Sequence, residues 1–334
     1  MPSRVAVINA GGWGTALAVL LGNAGHQVRL WCRRETLASE IEATGENRTY
    51  LPDVTIPPQV WASSSLDEVL SGADAVVLVP ISRAMRETAR EVGRFLPSDV
   101  PVMHASKGLE LSSLLRLSEV IGQELARHAV AVLSGPTHAE EVGRGQPTAA
   151  VIACTDTRTA EVFQELLHGP TFRVYTSSDV VGVELCAALK NVIALATGAA
   201  DGLGYGDNAR AALITRSLVE IGRLVEAAGG DARSVAGLAG LGDVVVTCTS
   251  RHSRNRWAGE QIGRGRSVDE IVASTPKVIE GIPATQAAMA LGARYGVELP
   301  VCEQVYAVLN DGVPVHAALE RLMARDRTGE LPAR

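Results

Sequence analysis

Val5-Ala6-Val7-Ile8-Asn9-Ala10-Gly11-Gly12-Trp13-Gly14 opens the chain with an apolar run, a glycine-rich turn and the start of an apolar helix. The run at 5–9 is almost continuously apolar, as a strand buried on both faces should be. Glycines in such a turn let backbone approach an anion and let the helix pack closely on the strand, with the helix N-terminus facing the ligand. At the head of a βαβ unit this predicts dinucleotide binding. The fingerprint G-x-G-x-x-G is incomplete, however. Gly11 and Gly14 hold its second and third places, and Asn9 holds the first. Asparagine tolerates left-handed backbone better than most residues, which keeps the turn feasible. The alternative is an ordinary tight strand-to-helix turn.

Outward from the turn, further strands are predicted at 27–32, 75–79, 101–104, 129–133 and 149–153, with helices at 13–24, 83–95 and 112–128. Strand–helix alternation with short connections implies a parallel, right-handed doubly wound sheet of the Rossmann type, and so an α/β fold class. After residue 178 the period changes. Leu185, Leu189, Val192, Ile193 and Ala196 recur at helical spacing, and 208–228 repeats the pattern. Later helices are predicted at 268–273, 285–295 and 300–309, with no convincing strand. A length of 334 residues suits two domains better than one core. The division is expected at 1–182 for a dinucleotide-binding Rossmann domain and 183–334 for an all-helical one, with a long helix spanning the boundary. The polar tail 325–334 is expected to fray.

A net charge of −6 argues against a general nucleic-acid or anionic-membrane binder. The most apolar stretch, 183–200, contains Glu184 and Lys190, which argues against a membrane span. The N-terminus passes directly into a strand without a leader pattern, so a cytoplasmic location is expected. Five cysteines without a CxxC pair read as reduced thiols. His138 and His252 stand outside metal-ligand spacing and there is no H-E-x-x-H, so no metal is expected.

Beyond the second strand the chain reads Trp31-Cys32-Arg33-Arg34-Glu35. An acidic residue there would take a ribose 2′-hydroxyl, whereas Arg33 and Arg34 suit a 2′-phosphate and favour NADP over NAD. Surface arginines are the alternative, and Glu35 keeps NAD open. Three of the 31 basic residues are lysines: Lys107, Lys190 and Lys277. Lysine can give up its proton when buried, and arginine cannot. Lys190 sits in a helix whose only other polar side chains between 183 and 200 are Glu184, Asn191 and Thr197. Burial there would lower its pKa and fit it for general acid–base work; a structural Lys190–Glu184 pair is the alternative. Lys107 follows a strand's C-terminal end, the ligand-binding edge of an open α/β sheet. Lys277 follows a proline in a predicted loop and reads as solvated.

Two further segments read as anion sites. In Ser134-Gly135-Pro136-Thr137-His138-Ala139-Glu140, Thr137 and Glu140 have capping-box spacing. Beyond Gly240-Leu241-Gly242-Asp243, the run Thr249-Ser250-Arg251-His252-Ser253-Arg254-Asn255-Arg256 interleaves three arginines with hydroxyl and amide groups, a plausible phosphomonoester clamp. A solvated basic loop is the alternative.

Together these blocks, with Tyr50-Leu51-Pro52, Ala105-Ser106-Lys107-Gly108, Ala188-Leu189-Lys190-Asn191-Val192, Gly206-Asp207-Asn208 and Glu280-Gly281, run in order along nearly the whole chain. They resemble the bacterial-type NAD(P)-dependent sn-glycerol-3-phosphate dehydrogenase family. The resemblance implies a Rossmann domain followed by a helical domain similar to that of 6-phosphogluconate dehydrogenase. It also implies reversible oxidation of glycerol 3-phosphate to dihydroxyacetone phosphate, a homodimer, and a supply of glycerol 3-phosphate for phospholipid synthesis. By the same resemblance Lys190 is the proton acceptor, and Lys107, Gly135, Thr137, Asp243, Ser253, Arg254 and Asn255 line the substrate site. Gly11, Gly12, Trp13, Gly14, Arg33, Arg34, Lys107, Ala139, Arg254, Val278 and Glu280 are expected at the dinucleotide. The departures are Asn9 for the usual first glycine and Thr137 where serine is frequent. Competing expectations are a ketopantoate reductase or 3-hydroxyacid dehydrogenase of similar architecture, and a catalytically idle NADP-binding sensor.

Overall fold

The computed structural model describes residues 2–97, 99–275, 278–326 and 329–330, so most of the tail expected to fray, 325–334, lies outside the described residues. The chain divides into two compact units, the first comprising Met1–Ala188 with Ala228–Asp243, the second Leu189–Ala227 with Val244–Arg334.

The first unit is built on an eight-stranded sheet. Its strands are β1 (Arg4–Ile8), β2 (Gln27–Trp31), β3 (Val60–Ser63), β4 (Ala75–Leu78), β5 (Val102–His104), β6 (Val130–Ser134), β7 (Thr148–Ala153) and β8 (Phe172–Ser177). The sheet order is β8-β7-β6-β5-β4-β1-β2-β3. Alternate residues of β1 feed two cores. Val5 and Val7 pack with α1 (Gly12–Asn23), α2 (Glu35–Thr44) and α7 (Thr157–Leu167), while Ala6 and Ile8 pack with α3 (Leu66–Leu70), α4 (Met85–Val92) and α5 (Leu117–Glu124). Both faces are therefore covered, which is why the central strands read as unbroken apolar runs.

Three sequence expectations need correction. The sheet is not wholly parallel, because β6 and β7 pair antiparallel. Only the five-residue helix α6 (Ala139–Gly143) lies between them, too little for a full helical crossover. The predicted helix at 112–128 shrinks to α5. Leu114 has φ 59°, and the segment before α5 forms a two-stranded ribbon, Leu109–Glu110 with Leu115–Arg116. Strands β3 and β8 are additions to the predicted set. Both are sheet edges, and β8 alternates buried Phe172 and Val174 with exposed Arg173 and Tyr175.

The turn after β1 explains the missing glycine. Asn9 has φ 95°, in the left-handed region. Its Nδ2 donates to Val79 O at 3.1 Å, tying the turn to the end of β4. Buried Asn47 braces the other side, with Nδ2 donating to Ala10 O at 2.9 Å and Thr15 Oγ1 at 2.8 Å. Asparagine thus supplies the backbone conformation and a cross-strand bond that glycine lacks.

The 23-residue helix α8 (Val180–Gly202) begins in the first unit and continues into the second. It is long and apolar enough to cross a membrane by composition, but 89% of its most apolar window is buried inside the protein, as in a core helix. The second unit continues with α9 (Asp207–Ala227), α10 (Asp243–Thr249, whose first residue belongs to the first unit), α11 (Arg254–Gly263), α12 (Val268–Ala273), α13 (Gly281–Tyr295), α14 (Pro300–Asn310) and α15 (Val315–Met323). Among its described residues there is no strand. The first turn of α14 is capped from outside: buried Glu220 on α9 accepts from Val301 N at 2.8 Å and Cys302 N at 3.4 Å. Burial outweighs these two bonds and pushes the Glu220 carboxyl from its ordinary 4.5 up to about 7.

Two outcomes follow from these contacts. Asn9→Ala loses the bond to Val79 and replaces asparagine by a residue that tolerates positive φ less well, so it should cost about 1–3 kcal/mol in urea unfolding. Asn9→Gly relieves the backbone strain and should cost less; an equal or larger cost would contradict this account. For Glu220, the folded carboxyl titrates above its unfolded value. Folding therefore takes up a proton between about pH 4.5 and 7, and stability contributed at low pH is lost as pH rises through that window. Glu220→Gln should remove up to about 3 kcal/mol of that decline, measured as the pH dependence of unfolding relative to wild type.

Candidate active site

In the first unit, α1 starts at the glycine turn with Gly11 as N-cap, no side-chain cap and no acidic residue in its first turn. A Cβ at Gly11 would meet nothing closer than Asn9 Nδ2 at 3.9 Å, so the space before the helix is open. At Gly12 a Cβ would meet Tyr50 O at 2.8 Å, and at Gly14 it would collide with Asn9 O. The backbone N–H groups of the first turn are thus uncapped and unobstructed, which fits a pyrophosphate. Trp13 is half-buried and donates through Nε1 to Ala105 O at 3.1 Å, linking α1 to the segment that carries Lys107. Ala139 packs on the same core, and its methyl group would stand 3.8 Å from a Cβ placed on Gly12.

Arg33 and Arg34 are both exposed beyond β2. Arg34 Nη2 donates to Tyr50 Oη at 3.3 Å, with the guanidinium 5.9 Å from the ring centroid. Tyr50 belongs to a matched block to which the sequence assigns no role, and its place is beside this pair.

Lys107 is the polar centre of the first unit. Its Nζ donates to Asp243 Oδ2 at 2.6 Å, Gly135 O at 2.9 Å and Thr137 Oγ1 at 3.4 Å. Asp243 is 1% exposed and follows a π-helical turn, Leu238–Gly242, in which a Cβ at Gly240 would collide with Val235 O. Gly135 has φ 138°, a conformation that favours glycine, and a Cβ there would stand a tight 3.1 Å from Ala150 Cα. The expected capping box at Thr137 does not form. Thr137 Oγ1 instead donates to Gly135 O at 3.2 Å, and α6 starts one residue later with His138 in the N-cap position, where its side chain makes no cap hydrogen bond to the helix.

In the second unit, Lys190 is 7% exposed and donates through Nζ to Thr247 Oγ1 at 2.8 Å. Thr247 opens a block, Thr247-Cys248-Thr249, that fits the family resemblance but to which the sequence reading gives no role. Its spacing from Asp243, four residues along α10, is the available signal. The alternative Lys190–Glu184 pair does not form, since the Glu184 carboxylate is taken by His104, Arg116 and Ser118.

The arginine run separates by role. Ser253 caps α11, its Oγ accepting from Arg256 N at 3.2 Å. Arg256 is spent on Asp201 at 2.8 Å and Glu260 at 3.6 Å, so it is not part of an open clamp. Arg254, the first residue of α11, is exposed, as is Arg251. Asn255 is buried: Nδ2 donates to Asn191 Oδ1 at 2.8 Å, and Oδ1 accepts from Gly281 N at 2.8 Å. Val278 and Glu280 are half-buried just before α13, and Lys277 lies outside the described residues. Burial pushes the thiols of Cys32 and Cys186 up to about 12 and that of Cys248 up to about 11, so they supply no thiolate at neutral pH.

A doubly wound sheet with an open glycine turn at its first helix, followed by an all-helical unit carrying a buried lysine, defines an NAD(P)-dependent oxidoreductase acting on a small molecule. Comparison with known proteins narrows the class. Residues 4–160 match the family model described as NAD-dependent glycerol-3-phosphate dehydrogenase N-terminus, and residues 179–320 match that described as its C-terminus. The chain is 50% identical over 331 residues to glycerol-3-phosphate dehydrogenase (NAD(P)+) of Moorella thermoacetica, covering 99% of this chain and 98% of that protein. It is 45% identical to that of Bacillus pumilus, covering 98% and 96%. The crystal structure of glycerol-3-phosphate dehydrogenase from Coxiella burnetii superposes with a TM-score of 0.92 at 38% identity, covering 97% and 99%. A PanE/ApbA family ketopantoate reductase from Ralstonia eutropha reaches 0.60 at 20% identity, covering 96% and 99%, a likeness of fold alone. The chain belongs to the NAD-dependent glycerol-3-phosphate dehydrogenase family, whose members interconvert glycerol 3-phosphate and dihydroxyacetone phosphate.

The two neighbouring arginines should separate in a stability assay. Arg256→Ala leaves part of the Asp201 carboxylate unpaired and should lower unfolding free energy by about 1–3 kcal/mol. Arg254→Ala, exposed, should stay within about 0.5 kcal/mol of wild type. Equal losses would show that Arg254 also has a structural partner.

Proposed function

We propose that this chain interconverts sn-glycerol 3-phosphate and dihydroxyacetone phosphate with Lys190 as the proton-transfer group, and that it favours NADP(H) over NAD(H). The observation that carries the proposal is the setting of Lys190, a buried amine on an almost wholly apolar helix whose Nζ is oriented by Thr247. When bound, the dinucleotide takes up hydride from C2 and returns it in the reverse direction. Lys190, uncharged, accepts the C2 hydroxyl proton during oxidation; its ammonium returns that proton to the C2 oxygen during reduction. Lys107 donates to the C2 oxygen from the cradle of Asp243, Gly135 and Thr137. Arg254 takes the phosphate, with Asn255 and the Ser253 cap fixing the start of α11 behind it. Arg33 and Arg34 take the 2′-phosphate, which is the basis of the NADP preference. On the family resemblance we also infer a cytoplasmic homodimer that supplies glycerol 3-phosphate for phospholipid synthesis.

Steady-state kinetics test each assignment. Lys190→Ala should lose roughly 10²–10⁴-fold in kcat while binding reduced cofactor normally in a fluorescence titration; near-normal kcat sinks the assignment. Arg254→Ala should raise KM for dihydroxyacetone phosphate more than it lowers kcat, and an unchanged KM removes it from the phosphate site. Replacing Arg33 and Arg34 by alanine should raise KM for NADPH well beyond that for NADH; parallel changes refute the NADP preference.

A further inference from the structure

Glu184 is a buried charge that the reaction leaves unused. It lies on α8, 3% exposed, and four donors converge on its carboxylate. Ser118 N at 2.9 Å and His104 Nε2 at 3.1 Å reach Oε1, while Arg116 Nη1 at 2.8 Å and Ser118 Oγ at 2.5 Å reach Oε2. These donors come from the last residue of β5 and from the start of α5. His104 is itself 1% exposed, and its Nδ1 has no partner, so the ring is held by Glu184 alone. Burial pushes the Glu184 carboxyl up, but His104, Arg116 and Ser118 together outweigh it and hold the group below its ordinary range.

Little else on α8 marks a unique setting in the first unit. From Gly182 to Leu189 every residue is buried, and Glu184 is the only charged one among them. A helix packed by apolar side chains alone has neighbouring rotational settings of similar energy, whereas a carboxylate with four fixed donors admits one. A buried ion pair is a weak way to add stability, since an apolar replacement is often neutral or better, but it is a good way to fix register. Glu184 stands six residues before Lys190, about 9 Å along the helix and about 120° around it. The anchor therefore occupies a different face from the amine.

We propose that Glu184 is a positioning residue: its carboxylate pins the rotation and axial register of α8, and the helix transmits that setting to Lys190. This rests on Lys190 being the proton-transfer group. Glu184→Gln keeps the side chain's shape and turns one acceptor into a donor among donors. Its kcat should fall at least tenfold while the Kd for reduced cofactor stays within about twofold. The primary deuterium isotope effect on kcat with 4-deuterated reduced cofactor should rise, because the chemical step has slowed. A merely structural role would lower active-site titre and kcat together and leave the isotope effect unmoved; that result, or wild-type kcat in the folded variant, overturns the proposal. If Glu184→Gln does not fold, His104→Ala and His104→Gln give the same readout. Alanine should lower kcat and raise the isotope effect, and glutamine, which keeps a donor toward Oε1, should restore most of both; two folded variants with wild-type values overturn it. Lys190→Ala run alongside separates the two ideas. Near-normal turnover there removes the base itself, whereas an inactive Lys190→Ala beside a normal Glu184→Gln removes only the pin.

Discussion

Acidic and basic side chains on a buried helix need polar partners, and α8 carries three of them. Glu184 gathers His104, Arg116 and Ser118 in the first unit. In the second, Lys190 turns to Thr247, and Asp201 binds Arg210 at 2.7 Å and Arg256 at 2.8 Å. An unpaired ion in such surroundings would cost several kcal/mol, so each charge dictates which element packs beside it. Arg256 is the clearest case. Its pairing with Asp201 sets α11 against the C-terminal part of α8, and the first residues of α11 are Arg254 and Asn255. The buried network thus decides where an exposed arginine is presented.

Glycines make that contact closer than side chains would allow. A Cβ on Gly198 would collide with Arg256 O, on Gly202 with Glu260 O, on Gly259 with Leu195 O and on Gly263 with Ala199 O. The α8 and α11 backbones therefore touch directly, with no side chain between them to repack. Asn255 closes one end of the crossing through Asn191 and Gly281 N. Geometry set by main chain against main chain has little give, which holds the start of α11 in a fixed place against the C-terminal half of α8.

Much of this is legible in the sequence, and the failures share a cause. Strands buried on both faces announce themselves as continuous apolar runs, and the helix at 183–200 by its period. Edge strands do not, because β8 buries only one side, and a four-residue strand such as β3 carries almost no periodicity. Asn9 is readable as a tolerated left-handed residue, but its bond to Val79 is not, since that partner is 70 residues away. Thr137 shows the limit of local motifs. Its spacing to Glu140 is that of a capping box, yet a lysine brought in by the fold and the local carbonyl of Gly135 take the same hydroxyl instead. Ser253 and Arg256 likewise read as one polar run, when one caps a helix and the other neutralises a carboxylate.

The lysines show how a compositional bias can be turned into chemistry. A chain that uses arginine for 28 of its 31 basic residues keeps lysine at 107 and 190, where a planar fork would fail. Around Lys107, three oxygens converge on one nitrogen, from Asp243, Gly135 and Thr137. An ammonium offers three N–H groups from a single centre and meets all three, whereas guanidinium spreads five donors over a plane and matches paired acceptors instead. At Lys190 the constraint is volume as well as geometry, because the residue is 7% exposed on an almost wholly apolar helix and its amine donates to the Thr247 hydroxyl. Arginine there would be larger and permanently charged. Where arginine does serve, at Arg210 and Arg256, the partner is a carboxylate that a fork can grip. The choice between the two cations thus follows from the shape of the acceptor set each one meets.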